Sequence, residues 1–283
     1  MSAYRFCRSD DIDLLVEALN CCWVPCFPGE PLACAATFKR MIRDLHVWCS
    51  SCMVAFSGAD PVGVLIGAKR ASGTLVHRIA VHPDHWRQGH GRHLVESLSS
   101  KLAILGPPRL VAEVPEDLQP ARALFGACGF TEETRLTDYV LEVEAASRLP
   151  RGDLTTPITV DDLAATGLLH DADPHVCWRR SLETIVAAKD EVMGLAVASD
   201  ERVEAYLLYS RREEEAEVLS LRSLVDDGGA RIAHMLGRLQ AGGIETLRLP
   251  RVHPTELPAE FLHALGFRPA SGYRRYGAMA RAA

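Results

Sequence analysis

The stretch VHPDHWRQGHGRHLV, Val81 to Val95, sets Gly89 and Gly91 one residue apart between Arg87 and Arg92 and then becomes helical. A strand that passes through glycines into a helix leaves unpaired backbone N–H groups converging at the positive end of the helix dipole. Such a turn holds an anion, and glycine suits it because a Cβ would keep a phosphate away from the main chain. Two phosphate motifs are excluded. Leu94 stands where a dinucleotide fingerprint needs its third glycine, and the chain has no Gly-Lys-Ser/Thr. His77, His82, His85 and His90 crowd the same strand exit and could take protons near neutral pH. His82 leaves the strand where the sheet should splay, which makes it a candidate base.

Cysteine offers a second possible chemistry, in CCWVPC (Cys21, Cys22, Cys26) and CSSC (Cys49, Cys52). CSSC has redox or zinc spacing, but a zinc site needs a second ligand pair and none follows in pattern. An odd total of nine argues against a disulfide framework. The expectation is buried, reduced thiols and no metal.

These residues need elements to carry them. At 283 residues the chain fits two domains better than one. YRFCRS reads as a strand and DDIDLLVEALNCCW as a helix; ATFKRMIRDL is a second helix, and CMVAFSG with VGVLIGAKR forms a hairpin around a short Asp-Pro turn. TLVHRIAV is the strand that enters the glycine turn. The helix from Arg92 to Leu105 aligns Leu94, Leu98, Leu102 and Leu105 on one face and stops at GPP. RLVAEV, PARALFGAC and TDYVLEV then give strand, helix and strand. The order describes a mixed α/β (α+β) domain over residues 1–145, followed by a polar linker over 146–157.

Residues 158–283 repeat the order. TVDDLAATGLL answers SDDIDLLVEAL, ARIAHMLGRLQ is the corresponding long helix, and FLHALGF answers LFGACGF, with Gly266-Phe267 matching Gly129-Phe130. The chain reads as a duplication of one fold. Where the second phosphate turn should lie, SLVDDGGARI puts Asp226 and Asp227 beside the glycines in a shorter turn. Carboxylates there repel a phosphate by on the order of a kcal/mol each, so the second copy is expected to be degenerate.

The run RIAVHPDHWRQGHGRHLVESL followed by ARALFGACGF resembles the acetyl-coenzyme A signature of the GNAT family of N-acetyltransferases, R/Q-x-x-G-x-G/A. The resemblance implies two tandem GNAT-like acyl-CoA acyltransferase domains, each a mixed central sheet flanked by helices. It implies that Arg87, Gln88, Gly89, His90, Gly91 and Arg92 wrap the pyrophosphate of acetyl-CoA, and that the backbone of Ile79, Ala80 and Val81 pairs with the pantetheine arm. The oxyanion partner would be the amide of Val81 or its neighbour. Trp86 departs from the motif at its first position.

Glu113, the carboxylate inside RLVAEV, matches a position used as general base in some relatives. The usual acid is a tyrosine where Phe125 stands, and a frequent coenzyme contact, Asn, is replaced by Leu118. Water or Tyr139 could supply that proton. The implied activity is transfer of acetyl from acetyl-CoA to an amine of a small molecule or protein, with Glu113 or His82 as base. The alternative is a non-catalytic acetyl-CoA-binding or sensing scaffold. A mycothiol-synthase-like enzyme, also tandem, works through its C-terminal half, and Asp226-Asp227 speaks against that.

A net charge of −6 without a basic arm or stripe disfavours nucleic acid and anionic membranes as partners. Apolar runs fall short of a membrane span, and MSAYRFCRSDD carries charge where an export signal needs apolar residues. A cytoplasmic protein is expected, with a second copy of the chain, in a homodimer, as a candidate partner.

Overall fold

In the computed structural model, residues 2–142, 155–169 and 175–282 are described, and the chain divides into two compact units. Unit 1 comprises residues 1–134 and 274–283, and unit 2 residues 135–273.

Unit 1 runs β1 (Ser2–Phe6), α1 (Ile12–Cys22), α2 (Ala35–Leu45), β2 (Met53–Ser57), β3 (Asp60–Arg70), β4 (Gly73–Val81), α3 (His90–Leu105), β5 (Arg109–Pro115) and α4 (Gln119–Ala127). Its strands lie in the order β1-β2-β3-β4-β5, antiparallel except for the parallel pair β4 and β5. The apolar run of β3 is buried from Val62 to Ala68, as expected for a strand covered on both faces. α3 forms because Leu94, Val95, Leu98 and Leu102 recur at helical spacing, and all four are buried with Leu110, Ala112 and Val114 of β5. Each such side chain contributes about 1.5–3 kcal/mol through burial. Leu105, expected in that stripe, is 65% exposed, because the helix turns off at Gly106 just where it clears the sheet.

Unit 2 contains β7 (Thr155–Pro157), α5 (Val160–Ala165), α6 (Leu182–Ala187), β8 (Met193–Ala198), β9 (Val203–Arg212), β10 (Glu215–Ser223), α7 (Ala230–Ala241), β11 (Thr246–Val252) and α8 (Ala259–Ala264). Its strand order, β7-β8-β9-β10-β11, repeats that of unit 1, again with one parallel pair, β10 and β11. The duplication read from sequence is therefore a repeated topology.

The two remaining strands cross the sequence boundary. β6 (Thr131–Glu142) pairs with β11 antiparallel, placing Tyr139 and Leu141 in the core of unit 2. β12 (Arg268–Met279) follows β5 in the strand order, and its later part, from Arg274, belongs to unit 1. Each unit thus takes the strand after its parallel pair from the other half of the sequence. Most of the linker expected over 146–157 lies outside the described residues, but its last three form β7, paired with β8 from Thr155↔Val197 to Pro157↔Leu195. Two β-branched threonines favour that edge pairing, and the proline closes it.

Candidate active site

β4 and β5 are paired only at Thr74↔Leu110 and Leu75↔Val111, then part. The cause lies one residue on. Against β3 the register jumps from Gly67↔Val76 to Ile66↔Arg78, so His77 is an extra residue, a bulge that bends and twists the strand. Beyond it Ile79, Ala80 and Val81 pair with Leu65, Val64 and Gly63 on one edge, and their other edge faces the opening. That is the geometry an extended amide chain needs to add as a strand. The amide of His82 is taken by Val62 O at 2.9 Å, which removes it as an oxyanion donor.

The glycine turn lies at the end of this opening. Gly89 has φ +87° and Arg87 φ +61°, so the chain reverses there in left-handed conformations. No side chain caps the start of α3, which leaves its first-turn amides to an incoming anion. A Cβ on Gly89 would meet nothing within 4 Å, whereas one on Gly91 would stand 3.3 Å from Leu124 and 3.8 Å from Val81. Gly91 therefore permits α4 to pack against α3, a role distinct from the phosphate clearance that the sequence suggested. Arg87, Gln88 and Arg92 are exposed around the turn. His90 is buried and anchors it, with Nδ1 2.8 Å from Tyr4 Oη, and burial lowers its pKa. Trp86 donates its indole N–H to Val81 O at 2.7 Å. It ties the loop to the strand end where the motif has Arg or Gln.

The two candidate bases stand differently. Leu110, Ala112 and Val114 face the α3 core, so Glu113, which alternates with them, projects from the opposite face of β5 and is half-buried. His82 caps the short turn after β4, with Nδ1 accepting from Asp84 N at 3.3 Å. The same nitrogen lies 3.7 Å from Asp84 Oδ2, so Nδ1 is turned towards its own turn.

Phe125 is buried against Phe130 and Tyr276, with ring centroids 5.1 and 6.3 Å away. The hydroxyl in this part of unit 1 belongs to Tyr276 of β12, 3.4 Å from Arg122 Nε. Tyr139 sits in the core of unit 2 and is no part of this cluster. The sequence alone did not point to Tyr276, because nothing local to it indicates which half its strand joins.

Unit 2 has the same opening, crossed by one of its own side chains. β10 and β11 pair from Glu215↔Thr246 to Glu217↔Arg248 and then separate, with Leu219 as the bulged residue. Arg180 Nε donates to Leu219 O at 3.2 Å and Arg180 Nη1 to Pro250 O at 3.3 Å, so one guanidinium bridges the parted strands. It also forms a two-pronged pair with Glu256. At the start of α7 the anion position holds Asp227, whose Oδ1 accepts from Gly229 N at 3.0 Å and whose Oδ2 accepts from Arg231 N at 2.9 Å. Desolvation would raise the pKa of Asp227, but the hydrogen bonds from Arg231, Gly229 and Ser223 outweigh it and hold the carboxyl below its ordinary value. Asp227 is therefore an internal anion rather than merely a repelling charge. A cavity of about 450 Å³ remains beside Arg180 and Glu256, in unit 2 and not at the Gly89 turn.

Among the described residues no group of three or more His, Cys, Asp or Glu is arranged to hold a metal ion, and no helix is long and apolar enough to cross a membrane. All nine cysteines are free. CSSC forms a tight turn in which Cys52 Sγ donates to Trp48 O.

A parted parallel strand pair leading through a glycine turn into a helix defines an acyl-CoA acyltransferase fold, here present twice. Residues 12–130 match the model of the acetyltransferase (GNAT) family. No curated protein matches the sequence. Among solved structures, a GCN5-related N-acetyltransferase from Sphaerobacter thermophilus is 12% identical with a TM-score of 0.69, covering 99% of this chain and 96% of its own. A tandem GNAT protein from the clavulanic acid biosynthesis pathway is 16% identical with a TM-score of 0.68, over 99% of both chains. A glucosamine N-acetyltransferase region of a fungal multi-domain β-N-acetylglucosaminidase is 14% identical with a TM-score of 0.73, over 98% of this chain and 38% of that one. At these identities the structures establish the fold, a tandem of two GNAT-like domains.

Proposed function

We infer that unit 1 binds acetyl-CoA and transfers its acetyl group to an amine, and that unit 2 binds no coenzyme. One contrast carries this reading: the same helix start is uncapped at Gly89 in unit 1 and occupied by Asp227 in unit 2. The amides at the start of α3, with Arg87 and Arg92 alongside, fit the pyrophosphate, and the edge of Ile79 and Ala80 turned away from β3, with the Val81 amide, fits the pantetheine amides, the Val81 carbonyl being taken by Trp86. Acetyl-CoA, when bound, supplies a thioester carbonyl for attack and a thiolate that leaves.

Glu113 acts on the acceptor. Its carboxylate takes the proton that the nitrogen must lose, and it is preferred to His82 because the latter's Nδ1 is engaged in the turn. Phe125 cannot donate a proton to the departing thiolate, which therefore takes one from water. That substitution also favours a second reading, a coenzyme-binding scaffold without turnover. Glu113→Gln separates the two. Transfer to amines that falls by about a hundredfold while coenzyme affinity is kept supports the enzyme. A wild-type protein that binds acetyl-CoA and acetylates nothing supports the scaffold, and unchanged turnover in Glu113→Gln removes Glu113 as the base.

A further inference from the structure

On the face of the sheet turned away from α3, the end of α1 and the loop after it bring Trp23, Phe27 and Glu30 towards β4. The rings of Trp23 and Phe27 stack with centroids 4.3 Å apart. The guanidinium of Arg78 lies over Trp23, 4.8 Å from the ring centroid, and pairs with Glu30 at 3.1 Å. Trp23 Nε1 is buried and has no hydrogen-bond partner. A buried donor without an acceptor is rare enough in folded proteins to require an explanation.

The position of Arg78 supplies one. It follows the bulge at His77, where β4 leaves β5. Its neighbour Ile79 packs towards the α3 core, so Arg78 projects from the other face, which is also the face of Glu113. Counting the parallel register on from Leu75↔Val111 past the bulge sets Arg78 about level with Glu113, one strand away.

We propose that the amine acceptor carries a carboxylate, bound by Arg78 with Trp23 Nε1 as a second donor, and that Glu30 is the exchangeable stand-in for that carboxylate. The inference rests on the reading of Glu113 as the base of the slot. The Arg78 and Glu30 side chains are 27% and 37% exposed, so their pair is open to solvent and weakly held. An incoming carboxylate gains a planar guanidinium fork and an indole N–H together, and satisfies the orphaned donor. The edges of the stacked Trp23 and Phe27 rings offer apolar surface for the carbons between the two ends. Amine at Glu113, short apolar chain along the rings and acid at Arg78 describe an amino acid whose nitrogen and carboxylate are separated by a few carbons.

The test compares acetyl transfer to glycine, β-alanine, 4-aminobutyrate and 5-aminopentanoate with transfer to their carboxamides, corrected for amine protonation. At least one acid should exceed its amide in kcat/KM by about tenfold, the worth of one charge-assisted hydrogen bond, acting through KM. Arg78→Leu should bring that ratio near one, and Glu30→Gln should raise it. In coenzyme-free protein the preferred acid should change the tryptophan fluorescence, and the change should vanish in Trp23→Phe and Arg78→Leu. A melting temperature that still rises with acetyl-CoA shows that each variant is folded. A ratio near one in the wild type, a preference for amides or diamines, or a ratio that survives Arg78→Leu overturns the proposal. Failure of the wild type to bind acetyl-CoA overturns the acetyltransferase reading first and this inference with it.

Discussion

Arg180 is the strongest handle on what spans the parted strands of unit 2. Its side chain is 1% exposed, and it donates to two main-chain carbonyls on parted strands while facing Glu256. Arg180→Met removes the charge, leaves the half-buried Glu256 without its partner and takes donors from Leu219 O and Pro250 O. Breaking a buried pair from one side costs about 3–5 kcal/mol. For a unit of this size each kcal/mol lowers the melting temperature by about 3–4 °C, so a fall of about 10–15 °C is expected in the transition of unit 2. The paired change Arg180→Met with Glu256→Met should restore stability to within about 2 kcal/mol of wild type, since no charge is then stranded. Calorimetry of the three chains, with and without acetyl-CoA, reads this directly, and none should bind a second coenzyme while Asp227 remains. A single variant within about 1 kcal/mol of wild type, or a double variant no better than the single, would refute the bridging role.

Titration of the wild type should give one acetyl-CoA per chain, and Gly91→Asp should abolish binding by crowding Leu124 and adding a carboxylate at the α3 start; two per chain would reverse the assignment of the units. Asp227→Asn should destabilise unit 2 at neutral pH by on the order of 1 kcal/mol, because the amide keeps one acceptor but loses the negative charge at the helix start and the oxygen that takes Arg231 N. Because the folded pKa of Asp227 lies below its ordinary value near 3.8, that contribution is present at neutral pH and is lost as pH falls through the folded pKa, so the two chains should converge in acid; a gap that widens there contradicts the capping role. Cys34 is exposed and its pKa is lowered by hydrogen bonds with Thr37, whereas burial pushes Cys7 and Cys22 up to about 12, so iodoacetamide should label Cys34 first; early labelling of Cys7 or Cys22 would contradict this.

The glycine turn was legible because its information is local: two glycines, a preceding strand and a following helix lie within one short stretch, and helical spacing fixes Leu94, Leu98 and Leu102 inward. The repeated order of elements was legible for the same reason. What escaped depends on contacts distant in sequence. Arg180 lies in a segment with no evident periodicity, and only the fold brings Leu219 and Pro250 to it. The role of Asp227 was half legible. Its charge was visible beside the glycines, but whether a carboxylate repels a ligand or replaces it depends on the side-chain rotamer, which the sequence does not carry. Trp86 reads as a motif departure until its bond to Val81 O shows it holding the same loop.

The exchange of last strands bears on why a copy with Asp227 at its helix start accompanies one whose helix start is uncapped. Arg274, Tyr276 and the residues after them belong to unit 1, where Tyr276 lies against Phe125 and Arg274 pairs with Glu116 and Glu132. Unit 2 in turn takes Tyr139 and Leu141 into its core from the strand that ends the first half. Neither half of the sequence therefore completes its own core. On the proposed reading the second copy binds no coenzyme, so Asp227 at its helix start and Arg180 between its parted strands serve stability alone. It cannot be removed, because the chain that would go with it covers Phe125 on α4, the helix packed beside the Gly91 turn.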